Sequence, residues 1–563
     1  MHAPCTRPVR ARYRWRVEKL DRVLVCTDLE GKFPHTTVYA LNREISDHTP
    51  LLVNTGDLSS TYQPQFKFEL GWLLREGFMD MVTNIWHNTL VEGTALQRWQ
   101  TKIRKLRQYL RGWAKHISGH YKKEKKEILN KLDELDKKAE ITPLQPVEID
   151  LKHVLNERLA ELLREEELKW YQRAKVKNLL DGDANTKFFH FIANGKHRKT
   201  RIFQLEDGNR IICGDAQLKS FITIYYKQLF GPSLETNVSL DESRTEDIPQ
   251  VSELENEHLT QDFQESEVRE TIFQMEHNKA IGPDGFPAEF YQVFWDVIKE
   301  DLMALFQDFH QGTLPLHSLN FGTIILLPKK SKAKQIQQYR PICLLNVSFK
   351  IFTKVATNRI TNIAQRIIRP TQTAFIPGKN IMEGAVILHE TIHELHNKKQ
   401  NDIIFKIDFE KAYDKVRWKF LQQTLRMKGF SEQWCNWIKH FTQGGNVGIK
   451  VNDQQGAYFQ TRKGLRQGDP LSPLLFNIVV DMLALLIAQS KQEGQVEGAI
   501  PHLVDDGLSI LQDADDTVIF MSHDMEKARN MKYILCVFEQ LSGLKINFHK
   551  SKTFCFEQAK DSG

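Results

Sequence analysis

The sequence predicts an α/β fold, an antiparallel sheet backed by helices and preceded by a long helical N-terminal extension. Three observations carry that expectation. Residues 509–520, SILQDADDTVIF, are two runs of β-branched and apolar side chains around a short acidic turn, a β-hairpin pattern with Asp515 and Asp516 at its tip. Residues 405–418, FKIDFEKAYDKVRW, are an apolar strand that ends on Asp408 and runs into helical spacing. Finally, Ile103, Leu106, Leu110, Trp113 and Ile117 recur at intervals of three and four. Ile128, Leu132 and Leu135 continue that face, as in an amphipathic or coiled-coil helix.

A chain of 563 residues is long enough for two to four domains. Its 41% hydrophobic and 26% charged content are those of a soluble globular protein. The net charge of +6 fits a nucleic-acid partner, but over this length it does not establish one. Seven cysteines form no CxxC pair and no zinc-like Cys/His spacing, so reduced intracellular thiols are expected. The N-terminal residues lack the apolar core of a signal peptide, and no run reaches membrane-spanning length. An intracellular, soluble protein with no membrane partner is the expectation.

In chain order, residues 20–55 show alternating strand patterns around Ser46-Asp47-His48. An Asp-His pair before a strand is by itself a structural hydrogen bond more often than a catalytic dyad. Residues 66–138 read as charged helix, in which YKKEKKE (121–127) is a solvated face. Pro143 and Pro146 break the pattern, and a second helix runs through Leu162 and Leu163 to Tyr171. In residues 172–202 basic side chains, among them Arg173, Lys187, Lys196, Arg198 and Lys199, are interleaved with Phe188, Phe189 and Phe191. Cations neutralise phosphates and aromatic faces stack on unpaired bases, although the same phenylalanines serve equally well as core. The acidic residues 232–250 read as a flexible boundary.

Helix signals follow at 260–276, then a tight turn at Gly282-Pro283-Asp284-Gly285 before an aromatic helix. An apolar strand ends at Pro328-Lys329-Lys330, and a second begins at Tyr339-Arg340-Pro341. That hairpin carries cations at its tip, and Lys and Arg donate to phosphate oxygens. Residues 372–392 are a turn into a helix, with Gly378 and Lys379 in the turn. After Asp408, the charges Glu410, Lys411, Asp414, Lys415 and Arg417 read as helix surface. In GLRQGDPLSPLLFN (464–477) Gly464 and Gly468 allow close backbone approach, Pro470 and Pro473 fix the path, and Gln467 supplies a two-way amide. The apolar residues 471–487 that follow are expected to be core helix.

The order Asp408, then GLRQGDPLSPLLFN, then Ala514-Asp515-Asp516, then GLKINFHKSK (543–552) resembles a reverse transcriptase. The detailed wording resembles the open reading frame of a plant LINE-type, non-LTR retrotransposon, over about residues 20–556. The resemblance implies four regions. Residues 1–60 are the C-terminal remnant of an endonuclease-exonuclease-phosphatase β-sandwich, and 61–240 a helical, basic extension or linker. The fingers span 241–400 and the palm 401–563. It further implies a chain truncated at both ends, lacking the thumb and the endonuclease metal ligands, so that Asp47 and His48 are inactive.

For the site, the resemblance implies that Asp408, Asp515 and Asp516, with the Phe409 carbonyl, hold two Mg²⁺ ions, Mn²⁺ being an alternative. It assigns Lys329, Arg340, Tyr413, Gln467 and Gly468 to the incoming deoxynucleoside triphosphate. Tyr413 is the gate against a ribose 2′-hydroxyl. RNA template and DNA primer are the implied partners, with RNA gripped in the basic stretch around 173–199. Lys545, Lys550 and Lys552 each offer a proton donor for the leaving pyrophosphate, without a choice among them. Two residues depart from the family. Lys379 replaces an arginine and loses its planar fork. Asp513 replaces the aromatic before Ala-Asp-Asp, adding a carboxylate that costs several kcal/mol if desolvated, about the scale of any unpaired buried charge. RNA-directed DNA polymerase by ancestry is therefore the expected function, with impaired activity. A catalytically inactive remnant that at most binds RNA is the alternative, and an intron-type maturase is disfavoured by residues 20–55.

Overall fold

The computed structural model describes residues 6–11, 14–19, 23, 36–40, 51–54, 65–174, 195, 200–233, 238–330, 333–504 and 506–556. The chain divides into two compact units. One comprises 1–65, 69–76 and 116–202, the other 66–68, 77–115 and 203–563.

In the first unit, β1 (Thr6–Ala11) pairs antiparallel with β2 (Arg14–Lys19), and β3 (Thr37–Ala40) with β4 (Leu51–Asn54). Asp47 and His48 lie outside the described residues. After α1 (Phe78–His87), which belongs to the second unit, the three-four spacing produces one helix of 47 residues, α2 (Ala95–Ile141), whose residues from His116 on belong to the first. The prolines end it, and Pro146 opens α3 (Pro146–Ala174), where a missing N–H costs nothing. Ile128 and Leu132 of α2 pack on Leu155 and Leu162 of α3, as a shared apolar seam requires.

The second unit begins with Ile103, Leu106 and Leu110 of α2, all buried. Each such side chain contributes about 1.5–3 kcal/mol. A short hairpin, β5 (Gln204–Asp207) with β6 (Arg210–Cys213), leads to α4 (Asp215–Leu229). The expected flexible boundary is partly corrected here. Glu242 forms a two-pronged pair with Arg426 at 2.7 and 2.8 Å, and Gln250 donates to the Met427 carbonyl at 2.7 Å. The helix signals at 260–276 correspond to α6 (Glu265–Phe273), and a separate helix, α5 (Glu253–Thr260), precedes them. A capping box of Ser252 and Glu255 starts α5. The aromatic stretch forms α7 (Ala288–Val293) and α8 (Trp295–His310).

Strand β7 (Phe321–Pro328) folds back on β8 (Tyr339–Leu345), and their last pair, Pro328 with Tyr339, sets Lys329 and Arg340 at the tip. The helix α9 (Val347–Ile367) follows, and Asn380 caps α10 (Ile381–Asn397). Then come β9 (Asp402–Asp408), α11 (Ala412–Lys415), α12 (Trp418–Met427) and α13 (Glu432–Thr442). The hairpin of β10 (Asn446–Val451) and β11 (Gln454–Gln460) joins the first pair in a sheet of order β11-β10-β7-β8, with β10 parallel to β7. The helix α14 (Ser472–Gln492) is long and apolar enough to cross a membrane, which the sequence reading did not anticipate, yet it is largely buried inside this unit.

The remaining elements are β12 (Ile510–Asp513), β13 (Asp516–Ser522), α15 (Met525–Ser542) and β14 (Lys552–Cys555). They complete an all-antiparallel sheet of order β12-β13-β9-β14. Side chains alternate between its faces, so register decides what meets. The face whose apolar end is Ile404, Leu511 and Phe520 packs against Leu395 of α10. Its opposite end carries the acids.

Candidate active site

Asp516 pairs directly with Asp408 across β13 and β9, and with Asp513 across the hairpin. Directly paired residues point to one face, so three strands deliver carboxylates to one edge. Asp515 sits between β12 and β13 in a two-residue turn whose first position, Ala514, takes φ 55. A positive φ there matches the strand twist of a II′-type hairpin but costs an alanine about 1–2 kcal/mol. Exposed at the turn, Asp515 is still crowded. Loss of solvent, then the charges of Asp516 and Asp408, hold its carboxyl above the ordinary range, and Arg340 opposes them.

Cations surround this edge. Lys406 Nζ lies 3.1 Å from Asp516, and Lys550 Nζ lies 3.6 Å from Asp408. Lys329 feels burial and the positive charges of Lys550 and Arg340, which lower its pKa, while Asp408 and Asp414 raise it. The hairpin tip of β7 and β8 therefore faces the carboxylate edge. Of the three candidate lysines, Lys550 approaches Asp408. Lys545 instead accepts from the Glu410 N–H through its carbonyl, and Lys552 opens β14.

The loop after Asp408 is pinned on both sides. Its Phe409 bridges Ile546, and the Asn547 N–H donates to the Asp408 carbonyl at 2.8 Å. The Tyr413 ring stacks on Phe476 at 4.4 Å. Burial, then the charge of Asp515, keeps its hydroxyl well above the usual phenol range. Gln467 accepts from the Cys343 N–H at 2.8 Å and offers its amide to Asp414 Oδ1 at 3.4 Å. At Gly464 a Cβ would lie 2.6 Å from the Asp414 carbonyl oxygen, and at Gly468 2.6 Å from that of Cys343. Both also have positive φ. The close approach these glycines allow is thus to the protein's own backbone.

Two of the supposed surface charges are corrected. Asp414 is 2% exposed, and the Lys411 ammonium is enclosed. Lys411 takes φ 47, ψ 53, which turns it back beneath the loop. Its Nζ lies 4.5 Å from the Tyr225 ring centre and 5.0 Å from that of Tyr226, both on α4. Burial pushes the Asp414 carboxyl up and the Lys411 ammonium down, each partly restored by the other's charge. Sequence spacing could not show this, because the covering helix lies almost two hundred residues upstream. A cavity of about 20 Å³, the size of one water, is lined by Asp414, Gln467, Arg466, Thr461, Pro341 and Phe230 among others.

Asp513 is half-buried, and its carboxylate accepts from Thr373 Oγ1 at 3.0 Å. Residues 371–373 run alongside β12, where the Gln512 N–H donates to the Thr371 carbonyl and the Thr373 N–H to that of Gln512. The expected penalty of an unpaired carboxylate is therefore met by a donor. Lys379 Nζ donates to the Pro370 carbonyl at 3.1 Å. Arg173 pairs with Glu69 at 3.1 Å and lies over the Trp170 ring at 5.0 Å. Lys187, Lys196, Arg198 and Lys199 lie outside the described residues.

The donor set at the edge is all oxygen, which suits a hard divalent cation. Asp515's raised pKa also records negative charge that such a cation would offset. Among the described residues, however, no three His, Cys, Asp or Glu side chains are already gathered as a metal cage.

Residues 327–562 match the family model described as reverse transcriptase (RNA-dependent DNA polymerase). The chain is 25% identical over 545 residues to the uncharacterized 149 kDa protein of transposon TX1 from Xenopus laevis, covering 95% of this chain and 40% of that one. It is 30% identical over 241 residues to the Retrovirus-related Pol polyprotein from type-1 retrotransposable element R2 of Nasonia vitripennis, covering 43% of this chain and 22% of that protein. Among solved structures, apo telomerase from Candida tropicalis truncated from its C-terminal domain aligns at 14% identity and a TM-score of 0.30, covering 42% of this chain and 50% of that one. The chain thus spans two fifths or less of the length of these two transposon relatives.

Proposed function

We propose that residues 327–562, which match the reverse-transcriptase family model, form the RNA-directed DNA polymerase domain of a non-LTR retrotransposon, and that this chain adds deoxynucleotides to a DNA primer on an RNA template. The observation that carries the reading is the register of Asp408 with Asp516 beside the Asp515 turn. Asp408, Asp515, Asp516 and the Phe409 carbonyl are the residues that would hold two Mg²⁺ ions, with Mn²⁺ as an alternative. When bound, such ions would supply Lewis-acid activation of the primer 3′-hydroxyl and charge neutralisation for the leaving pyrophosphate.

Lys329 and Arg340 donate to the triphosphate, an assignment supported by their place at the hairpin tip. Tyr413 restricts the sugar, and Gln467-Gly468 supports the nascent base pair from below. Among Lys545, Lys550 and Lys552, the approach of Lys550 to Asp408 supports it as the proton donor. Fingers at 241–400 and a palm at 401–563 complete the assignment. Its plant flavour rests on motif wording alone, since the relatives reported above are animal elements.

The rival, an inactive remnant that at most binds RNA, draws on Asp513. Against it stands the Thr373 hydroxyl that accommodates this carboxylate. Primer extension on poly(rA)/oligo(dT) with Mg²⁺ tests both readings. Wild type is expected to add dTMP about 10³-fold faster than Asp408→Ala, and Asp513→Tyr to match wild type within about threefold. Wild-type addition at the Asp408→Ala background refutes polymerase activity. A large gain by Asp513→Tyr alone makes Asp513 the defect.

A further inference from the structure

The helix α4 lies outside the residues matched by the reverse-transcriptase family, yet it reaches the loop that carries Asp408 and Tyr413. It runs along the β10–β11 hairpin, with Asn452 donating to Asp215 at 2.8 Å and Lys219 to Gln454 at 3.2 Å. Its last turn presents Tyr225 and Tyr226, whose rings meet edge-on at 5.2 Å. The Lys411 ammonium lies against both rings and has no hydrogen-bond partner among the described residues. Nor do the Tyr226 hydroxyl and Asp414 Oδ2. An enclosed ammonium without hydrogen bonds relies on ring faces and a nearby carboxylate to offset its lost water.

From Lys411 the contacts continue inward. Asp414 lies one turn on in α11 and takes the Gln467 amide at 3.4 Å. Phe230, just past the end of α4, stacks on Tyr226 and lines the same small cavity as Asp414 and Gln467. Tyr413, between Lys411 and Asp414, is fixed by the same short helix. One anchoring point thus controls both the sugar-facing and the base-facing side of the nucleotide site.

We propose that Tyr225 and Tyr226 of α4 are positioning residues for the incoming nucleotide, holding Lys411 so that the Tyr413 and Gln467 walls keep their spacing. This rests on the polymerase reading above. Acting through Lys411, they bear on nucleotide affinity more than on the chemical step. A phenyl ring keeps the face that attracts the ammonium, and a leucine does not.

The test is single-nucleotide addition of dTTP on poly(rA)/oligo(dT) by the full chain, reading KM and kcat separately. The Tyr225→Leu/Tyr226→Leu pair is expected to raise KM for dTTP about tenfold, with kcat within about twofold of wild type. The Phe pair is expected to keep the wild-type KM. Affinity for the primer-template is expected to stay unchanged, which a general loss of fold would not allow. Lys411→Met reaches the same contact from the other side, so it covers a Leu pair that folds badly. It should raise KM similarly, and adding the Leu pair to it should raise KM no further. Leu and Phe pairs with equal KM overturn the proposal while leaving the polymerase reading intact. So does multiplicative behaviour with Lys411→Met. Wild-type addition no faster than Asp408→Ala overturns both together.

Discussion

Asp284 is a residue whose burial has a measurable consequence. It is 8% exposed in the Gly-Pro-Asp-Gly turn, where its backbone N–H donates to Asn346 and its carboxylate accepts from the Phe286 N–H. Burial pushes its carboxyl up to about 6, opposed by that backbone bond and by the Arg107 and Lys350 charges. A carboxyl raised on folding stabilises the protein fully below its unfolded pKa, and the contribution is lost as pH rises to the folded value. Between pH 4 and pH 7 the wild type should therefore lose roughly 3 kcal/mol relative to Asp284→Asn, measured by urea unfolding at each pH. A constant difference would contradict this account of the turn. At this scale the strand end at Asp408 and the turn at Asp515 and Asp516 were legible, because both are local patterns. Lys411 and Asp414 were not, because a helical spacing of charges looks the same whether water or a distant helix covers it. The Thr373 hydroxyl that meets Asp513 was hidden for the same reason.

Between elements, one tie is a fully buried ion pair. Lys428, just past the end of α12, places Nζ 2.6 Å from Asp481 of α14 with both side chains fully buried. The same ammonium donates to the Ile367 carbonyl at the end of α9, and the second Asp481 oxygen accepts from the Arg369 N–H. One lysine thereby satisfies an orphan helix carbonyl and joins three helices. Removing one partner leaves a buried charge alone, so Lys428→Met should cost about 3–5 kcal/mol, and Lys428→Met/Asp481→Leu should recover part of that loss. Tryptophan fluorescence in a urea titration reads both, and a loss under about 1 kcal/mol would show that the pair is not needed. The helices themselves were legible from spacing and prolines, as with α2 and α3. The helix α5 was not, because residues 253–260 carry only Leu254 and Leu259 as apolar side chains, too few to show a face.

For the whole molecule, the account rests on sheet register. A shift of one residue between β9 and β13 would turn Asp516 away from Asp408 and expose Ile519, so burial of the apolar face and assembly of the acidic edge are one constraint. The hairpins β7–β8 and β12–β13 were visible in sequence, while β10–β11 was not. Nor was the order β12-β13-β9-β14, since strand pairing across a hundred residues leaves no local mark. If Asp408 and Asp515 act as one unit on the same ions, their losses cannot multiply. Single-turnover dTMP addition by wild type, Asp408→Asn, Asp515→Asn and the double variant measures this directly. Each single change should slow addition by about 10²–10³-fold, and the double should be no slower than the slower single. Independent, multiplying losses, or an Asp515→Asn rate equal to wild type, would contradict the shared site.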